Sequence, residues 1–257
     1  MQVAITGGRG FIGECLVRRH LERGDGVRVL CRALPSRPLA GIQYVVADLT
    51  VRDDRLARFA DGVDVLYHCA AEIHDAGKMQ AVNVGGTQTL IDAARGRIGK
   101  WVQLSSVGAY GPVRDGRVSE EWPEAPTGEY ECTKTAADRL VQNSAIQGDF
   151  PAVIVRPSNV YGPTMRNRSL FQLIRAVDRG LFFFVGHPGA SANYIHVDNV
   201  VDALMRSAVA LHTEARVFIV SDHRSLENFI GTIAACLGRS APRIRIPSWA
   251  ARSAAFA

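Results

Sequence analysis

The chain is poor in lysine: Lys78, Lys100 and Lys134 are the only three among its 257 residues. It also lacks any apolar run of the roughly 18 residues that a bilayer-spanning helix needs. Met1 leads almost directly into a strand-like segment, without the charged-then-apolar pattern of a secretory leader. These absences give the expectation of a cytoplasmic protein with no membrane partner. Five cysteines, Cys15, Cys31, Cys69, Cys132 and Cys236, lie far apart, with no C-x-x-C pair and no histidine at metal-ligand spacing. That argues against a bound metal or a disulfide framework and for reduced structural thiols. The formal charge of +5 is spread along the chain, in no basic run and no aromatic-interleaved stripe. Nucleic acid is therefore disfavoured as a partner, and a small phosphorylated molecule accounts for the excess. No internal repeat or low-complexity segment is present.

With 47% hydrophobic and 21% charged residues, the chain can bury a substantial core. Short apolar, β-rich runs alternate with helix-period stretches: QVAIT (2–6), VRVLC (27–31), IQYVVAD (42–48), VDVLYHCA (63–70), KWVQLSS (100–106) and AVIVRP (152–157). Near-continuous apolar strands separated by amphipathic helices predict a parallel sheet covered on both faces, a doubly wound α/β fold of Rossmann type. Residues 1–157 are read as this dinucleotide-binding domain. Residues 158–257 are read as a mixed region that contributes late sheet elements and a small C-terminal substrate-binding lobe. The segment IPSWAARSAAFA starts an apolar helical pattern and stops without a cap. The expectation is a truncated version of a longer protein.

Thr6-Gly7-Gly8-Arg9-Gly10-Phe11-Ile12-Gly13 follows the first predicted strand and opens a helix, the context a dinucleotide-binding glycine turn requires. Gly7 and Gly10 permit a tight turn and close approach of a pyrophosphate, and Gly13 lets the helix lie close to the strand. The rival reading is a tight turn with no ligand. Where an NAD-preferring site carries a carboxylate at the end of the second strand, this chain has Cys31 and Arg32. Arg32, helped by Arg9, could bind a 2′-phosphate, which favours NADP(H) over NAD(H). Each arginine alone reads equally well as a solvated side chain. Asp48, after the third strand, is placed for the adenine edge, and an Asp-Leu-Thr turn is its alternative.

Tyr130 and Lys134 in Y-E-C-T-K stand four apart on a predicted helix, so they share one face. A phenol is a poor base at neutral pH, and a neighbouring ammonium lowers its pKa. Tyr130 would then exchange a proton with a substrate oxygen while Lys134 holds the nicotinamide ribose. Ser106 ends the fifth strand, where its hydroxyl could hydrogen-bond the same oxygen, although a shift of one residue would exchange it with Ser105. Glu72 and His74 follow the fourth strand and read first as a polar loop, with acid/base help to a substrate as the alternative. His196 reads as a packing and hydrogen-bonding residue.

Taken together, TGGRGFIG, Asp48-Leu49, His68-Cys69-Ala70-Ala71, Asn83-Val-Gly-Gly-Thr, LSSVGAYG, YECTK, Arg156-Pro-Ser-Asn-Val-Tyr-Gly-Pro and Tyr194-Ile-His-Val-Asp-Asn-Val resemble the extended short-chain dehydrogenase/reductase family, the NAD(P)-dependent epimerase/dehydratase group. The resemblance covers nearly the whole chain in order. It implies Ser106, Tyr130 and Lys134 as the catalytic triad. It implies cofactor contacts from Gly7, Arg9, Gly10, Phe11, Ile12, Gly13, Arg32, Asp48, Leu49, Ala70, Ala71 and Asn83, together with Tyr130 and Lys134. Asn83 matches the family's structural asparagine, and Arg32 resembles the 2′-phosphate arginine of the dihydroflavonol-reductase-like branch. Ser106, Asn159 and Arg166 are the implied substrate contacts. Ala192 stands where UDP-galactose 4-epimerase-like members carry an arginine, so Arg166 or Arg168 would have to replace it. Val107 and Gly108 stand where 4,6-dehydratases carry an Asp-Glu pair, which disfavours dehydration.

The leading reading is an NAD(P)-dependent oxidoreductase acting on a keto or hydroxy group, such as that of a nucleotide-linked sugar. One alternative is a nucleotide-sugar 4-epimerase with tightly held NAD, against which Arg32 argues. Another is a noncatalytic dinucleotide-binding protein, against which the complete Ser/Tyr/Lys set argues. A homodimer is the assembly considered.

Overall fold

The computed structural model describes residues 1–113, 116–165, 168–211 and 214–249. The chain begins with β1 (Gln2–Thr6), α1 (Phe11–Glu22), β2 (Gly26–Cys31), β3 (Ile42–Val46), α2 (Asp54–Ala60) and β4 (Val63–His68). A continuous helical stretch follows, made of α3 (Ala76–Met79), a π-helical turn (Gln80–Gly85) and α4 (Gly86–Ala94). Next come β5 (Ile98–Leu104), α5 (Glu129–Ile146) and β6 (Ala152–Pro157). The later chain adds β7 (Asn159–Tyr161), α6 (Ser169–Asp178), β8 (Phe184–Val185), β9 (Ser191–His196) and α7 (Val197–Val209). It continues with β10 (Arg216–Val220), β11 (Asp222–Ser225), α8 (Leu226–Cys236) and β12 (Arg245–Ile246).

Seven strands form one sheet in the order β10-β6-β5-β4-β1-β2-β3, and every neighbouring pair is parallel. This is the doubly wound arrangement that the apolar runs predict. Alternate residues of each strand feed opposite layers. Val3, Ile5, Val27, Val29 and Val65 pack with Leu16 and Val17 of α1 and Val200 and Leu204 of α7. Ala4, Leu30, Leu66 and Trp101 pack with Phe59 of α2, Leu90 and Ile91 of α4 and Val141 of α5. With both faces covered, the strands must be apolar on both sides, which is why they read as continuous runs. Complete burial of a side chain such as Ile5 or Leu66 contributes about 1.5–3 kcal/mol.

The strand order reverses between β1 and β4, which opens a crevice at their carboxyl ends. Asp53 caps α2 and Ser225 caps α8 with side-chain oxygens, whereas α1 and α5 begin at Gly10 and Gly128 with no side-chain cap.

The described chain divides into two compact units. The first comprises Met1–Val160 and Ile195–Val220, so the return of the chain at Ile195 supplies α7 and the edge strand β10. The second comprises Tyr161–Tyr194 and the chain from Ser221 onward. Within it β11 pairs antiparallel with β9, β12 pairs parallel with β8, and Val177, Phe184, Ile230 and Ala234 form a separate apolar cluster. Among the described residues no helix is long and apolar enough to cross a membrane. All five cysteines are free; Cys31 is buried, but Cys132 and Cys236 are exposed and so do not serve the core.

Candidate active site

The turn after β1 is built by glycine for steric reasons. Gly7 has φ of +67°, and a Cβ there would lie 2.6 Å from the Ala70 nitrogen where β4 exits. A Cβ on Gly13 would lie 2.2 Å from the Gly7 carbonyl oxygen, so only glycine lets α1 sit this close to the strand. The Gly10 amide donates to the Gly7 carbonyl at 2.8 Å and closes the turn. Gly10 itself is exposed, and the first-turn amides of α1 have no side-chain acceptor. An uncapped helix start behind a glycine cradle fits a dinucleotide pyrophosphate. Phe11 and Ile12 send their side chains against the α1/α7 apolar layer, which leaves their backbone amides for a ligand.

At the ends of β1 to β3, the Arg9 guanidinium donates to the Ala33 carbonyl at 3.0 Å, which holds it across the loop that follows β2. Arg32 is exposed, and its charge lies close enough to Asp48 to help lower that carboxyl. The main causes of the Asp48 shift are hydrogen bonds from the Thr50 amide (2.9 Å) and hydroxyl (2.8 Å). The Asp-Leu-Thr turn is therefore formed. Leu49 is buried, and a Cβ on Gly86 would come within 3.0 Å of its Cβ.

Ala70 and Ala71, half-buried, lead from β4 into a loop that Asn83 clamps. The Asn83 side-chain oxygen accepts from the Glu72 amide at 2.7 Å, and its nitrogen donates to the Glu72 carbonyl and the Thr133 hydroxyl at 3.0 and 3.1 Å. A buried amide so fully engaged is a structural clamp. The π-helical turn that carries it was not legible in the sequence. One Glu72 carboxylate oxygen accepts the amides of Ile73, His74 and Asp75, bonds that hold the carboxyl below its usual range. The polar-loop reading of Glu72 and exposed His74 thus accounts for their contacts.

On α5, Lys134 is buried and its ammonium donates to the Leu104 carbonyl at 2.7 Å. Burial lowers its pKa, opposed by the charge of Asp138. Tyr130, one turn earlier, is half-buried. The sequence leads one to expect its phenol to be lowered by the lysine. Instead burial first, then the charges of Asp138 and Glu131, push it up to about 12. The correction has a physical cause, because the ammonium is directed at the end of β5. Ser106 is half-buried at that strand end, and its hydroxyl oxygen accepts the Gly108 amide at 3.1 Å. Ser105 points inward and donates to Asp138 at 2.6 Å. The alternation of side chains thus places Ser106, not Ser105, at the accessible edge.

A charge cluster beneath this edge was missed. Asp138 is fully buried and accepts from Arg156 Nε at 3.1 Å and Nη2 at 3.0 Å. Arg156 also donates to Glu124, and its guanidinium lies 5.0 Å from the centroid of the Tyr110 ring. The available signal was spacing, because Asp138 falls one turn beyond Lys134 and two beyond Tyr130 on the same helix.

Asn159 follows β6 and is exposed, as is Arg168 in the second unit, while Arg166 lies outside the described residues. Ala192 is buried. The His196 ring nitrogen caps α7 by accepting the Asp198 amide at 3.3 Å, in keeping with a hydrogen-bonding role.

The profile of the NAD dependent epimerase/dehydratase family matches residues 3–219. The low-salt glycan biosynthesis protein Agl12 of Haloferax volcanii is 37% identical over 190 residues, covering 66% of this chain. The chain spans only 60% of that relative's length. A 4-hydroxy-2-methyl-3-oxo-4-farnesyl-3,4-dihydroquinoline-1-oxide ketoreductase of Stigmatella aurantiaca is 31% identical, over 99% of this chain and 79% of its own. Among solved structures, MoeE5 in complex with UDP-glucose and NAD superposes with a TM-score of 0.77 at 28% identity, covering 96% of this chain and 86% of MoeE5. With a family match over residues 3–219, most of its length, this chain belongs to the NAD dependent epimerase/dehydratase family, within the extended short-chain dehydrogenases/reductases.

Proposed function

We propose that this chain is an NAD(P)-dependent oxidoreductase that interconverts a keto and a hydroxy group on a nucleotide-linked sugar, with NADP(H) preferred. The observation that carries the reading is the anchoring of Lys134 to Leu104, two residues before Ser106, on the same sheet edge as the uncapped glycine turn. The dinucleotide, when bound, supplies the two-electron exchange. Tyr130 donates its proton to the carbonyl oxygen in the reductive direction, and the Ser106 hydroxyl binds the same oxygen. A phenol pushed up to about 12 is protonated at neutral pH, which suits proton donation to a ketone. Lys134 supplies a buried positive charge one turn from the phenol. Arg32, with Arg9 held against the Ala33 carbonyl, would form charge-assisted hydrogen bonds to a 2′-phosphate.

An anionic substrate is supported by the sequence of the second unit. It carries Arg166, Arg168, Arg175, Arg179, Arg224, Arg239, Arg243, Arg245 and Arg252 against only Asp178, Asp222 and Glu227. Arg239 and Arg245 pair with Asp178 and Glu227, and nine arginines against three carboxylates leave the unit an excess of six positive charges. The UDP-glucose of MoeE5 is such an anion. The NAD of MoeE5 favours a second reading, an epimerase that retains its cofactor.

Calorimetric titration with NADPH and NADH, after inspection of the purified protein for dinucleotide absorbance, separates these. Tight NADPH binding to an initially empty protein supports the reductase. Copurified NAD that resists dialysis supports the epimerase, and binding of neither removes both. Arg32→Asp should shift the NADPH/NADH affinity ratio by more than tenfold, about 1.4 kcal/mol; an unchanged ratio refutes the 2′-phosphate assignment.

A further inference from the structure

Thr6 and His68 face each other across the β1–β4 pair, and both are 1% exposed or less. Polar groups this deep persist only when their hydrogen bonds are made. The direction of each bond follows from counting protons. The Thr87 hydroxyl donates to the Asn83 carbonyl one turn earlier, at 2.6 Å. A hydroxyl has a single proton, so the Thr87 oxygen must accept from His68 Nε2, 3.0 Å away. Nε2 therefore carries the ring proton. Nδ1 then accepts from the Thr6 hydroxyl at 2.7 Å, and the Thr6 oxygen accepts from the Ala70 amide at 3.2 Å. The opposite tautomer would leave Nε2 an acceptor facing a hydroxyl whose proton is already committed. Burial, aided by the Lys134 charge, keeps the ring neutral.

The chain of bonds joins two parts of the site. At one end Thr6 precedes Gly7, and Ala70 passes within 2.6 Å of where a Gly7 Cβ would stand. At the other end Asn83, whose carbonyl receives the Thr87 proton, donates from its side chain to Thr133 at 3.1 Å, between Tyr130 and Lys134 on α5.

We infer that His68, as the neutral Nε2-protonated tautomer, is a positioning residue that couples the glycine turn to the helix bearing Tyr130 and Lys134 through Thr6, Thr87, Asn83 and Thr133. The inference rests on the dinucleotide-binding reading only in what the coupling serves; the bond directions stand apart from it.

The test needs no identified substrate. ¹⁵N NMR of His68 should report the Nε2-protonated form unchanged from pH 5 to 8. Thr87→Val, an isosteric loss on the helix side, should weaken NADPH binding about fivefold and speed exchange of the Ala70 amide. Thr87→Ser should restore both. Thr6→Val combined with Thr87→Val should bind no more weakly than Thr6→Val alone, since either change opens the chain. A merely structural Thr87 would lower the melting temperature and leave affinity unmoved. An Nδ1-protonated ring overturns the inference, and so does a Thr87→Val protein that keeps native NADPH affinity. If the unmodified protein binds neither dinucleotide, the functional reading fails, and the His68 tautomer with Ala70 exchange still decides the chain.

Discussion

Lys134 donates a 2.7 Å hydrogen bond to the carbonyl of Leu104, and so ties the middle of α5 to the end of β5. Because helical side chains four apart share a face, the same tie fixes the side of α5 on which Tyr130 emerges. Ser106 stands two residues past the tied carbonyl. The lysine thus sets geometry as well as charge.

Tyr130→Phe removes one oxygen and leaves this anchoring intact. Dinucleotide affinity should stay within about twofold, while turnover of any ketone the unmodified protein reduces should fall by about 10²–10⁴-fold. Titration and single-turnover kinetics on the same preparations check both arms. Undiminished turnover removes Tyr130 from the chemistry.

Gly10 and Gly13 sit in the same turn but answer to different constraints. A Cβ on Gly13 meets the Gly7 carbonyl oxygen at 2.2 Å, so Gly13→Ala should cost about 1–3 kcal/mol of stability. A Cβ on Gly10 meets only that oxygen, at 3.2 Å, and Gly10 already has an ordinary φ of −86°. Gly10→Ala should therefore keep its melting temperature and lose dinucleotide affinity, because the added methyl enters the approach to the α1 amides. Equal melting losses in the two variants would contradict this division.

The first six strands were legible because a sheet covered on both faces demands continuous apolar runs, and QVAIT and AVIVRP could be little else. Tyr130 and Lys134 were legible because four residues is one helical turn. The placement of Asn83 was not, since a π-helical turn is set by its bonds to Glu72 and Thr133 and not by local propensity. That part of 158–257 adds late sheet elements was read from the sequence; the bounds of the returning segment, Ile195–Val220, were not, because packing of α7 against α1 is a long-range contact. Tyr130 was misjudged for the same reason: burial of its phenol, the first cause of the upward shift, comes from packing that the sequence does not display, and the Asp138 charge adds to it.

Arg156 and Asp138 form a buried ion pair, with side chains 1% and 0% exposed. Breaking such a pair strands a charge and costs about 3–5 kcal/mol, whereas replacing both partners with apolar groups costs much less. Arg156→Met alone should be strongly destabilised in urea, and Arg156→Met combined with Asp138→Leu should recover a large part of the loss. Additive losses would show that the two groups act independently.

The buried histidine adds a pH dependence whose sign is fixed. Burial lowers the His68 pKa from 6.5 to about 3, so a unit or more above pH 6.5 the ring is neutral in both folded and unfolded chains and contributes almost no pH dependence. Below 6.5 the unfolded chain binds a proton that the folded one refuses, and stability falls as the pH drops toward 3. Between pH 6.5 and 5 most carboxylates are still ionised, and His68 should account for about 2 kcal/mol of the decline. His20, buried beside Asp25 and also lowered chiefly by burial, acts in the same direction. Urea unfolding at half-unit intervals from pH 7.5 to 5 should show this loss. His68→Asn should flatten the curve near pH 5 by about 1.4 kcal/mol per pH unit, the equivalent of one proton. A slope unaffected by that substitution would mean that His68 titrates in the folded protein as it does in the unfolded chain, and that its Thr6 and Thr87 bonds do not hold it neutral.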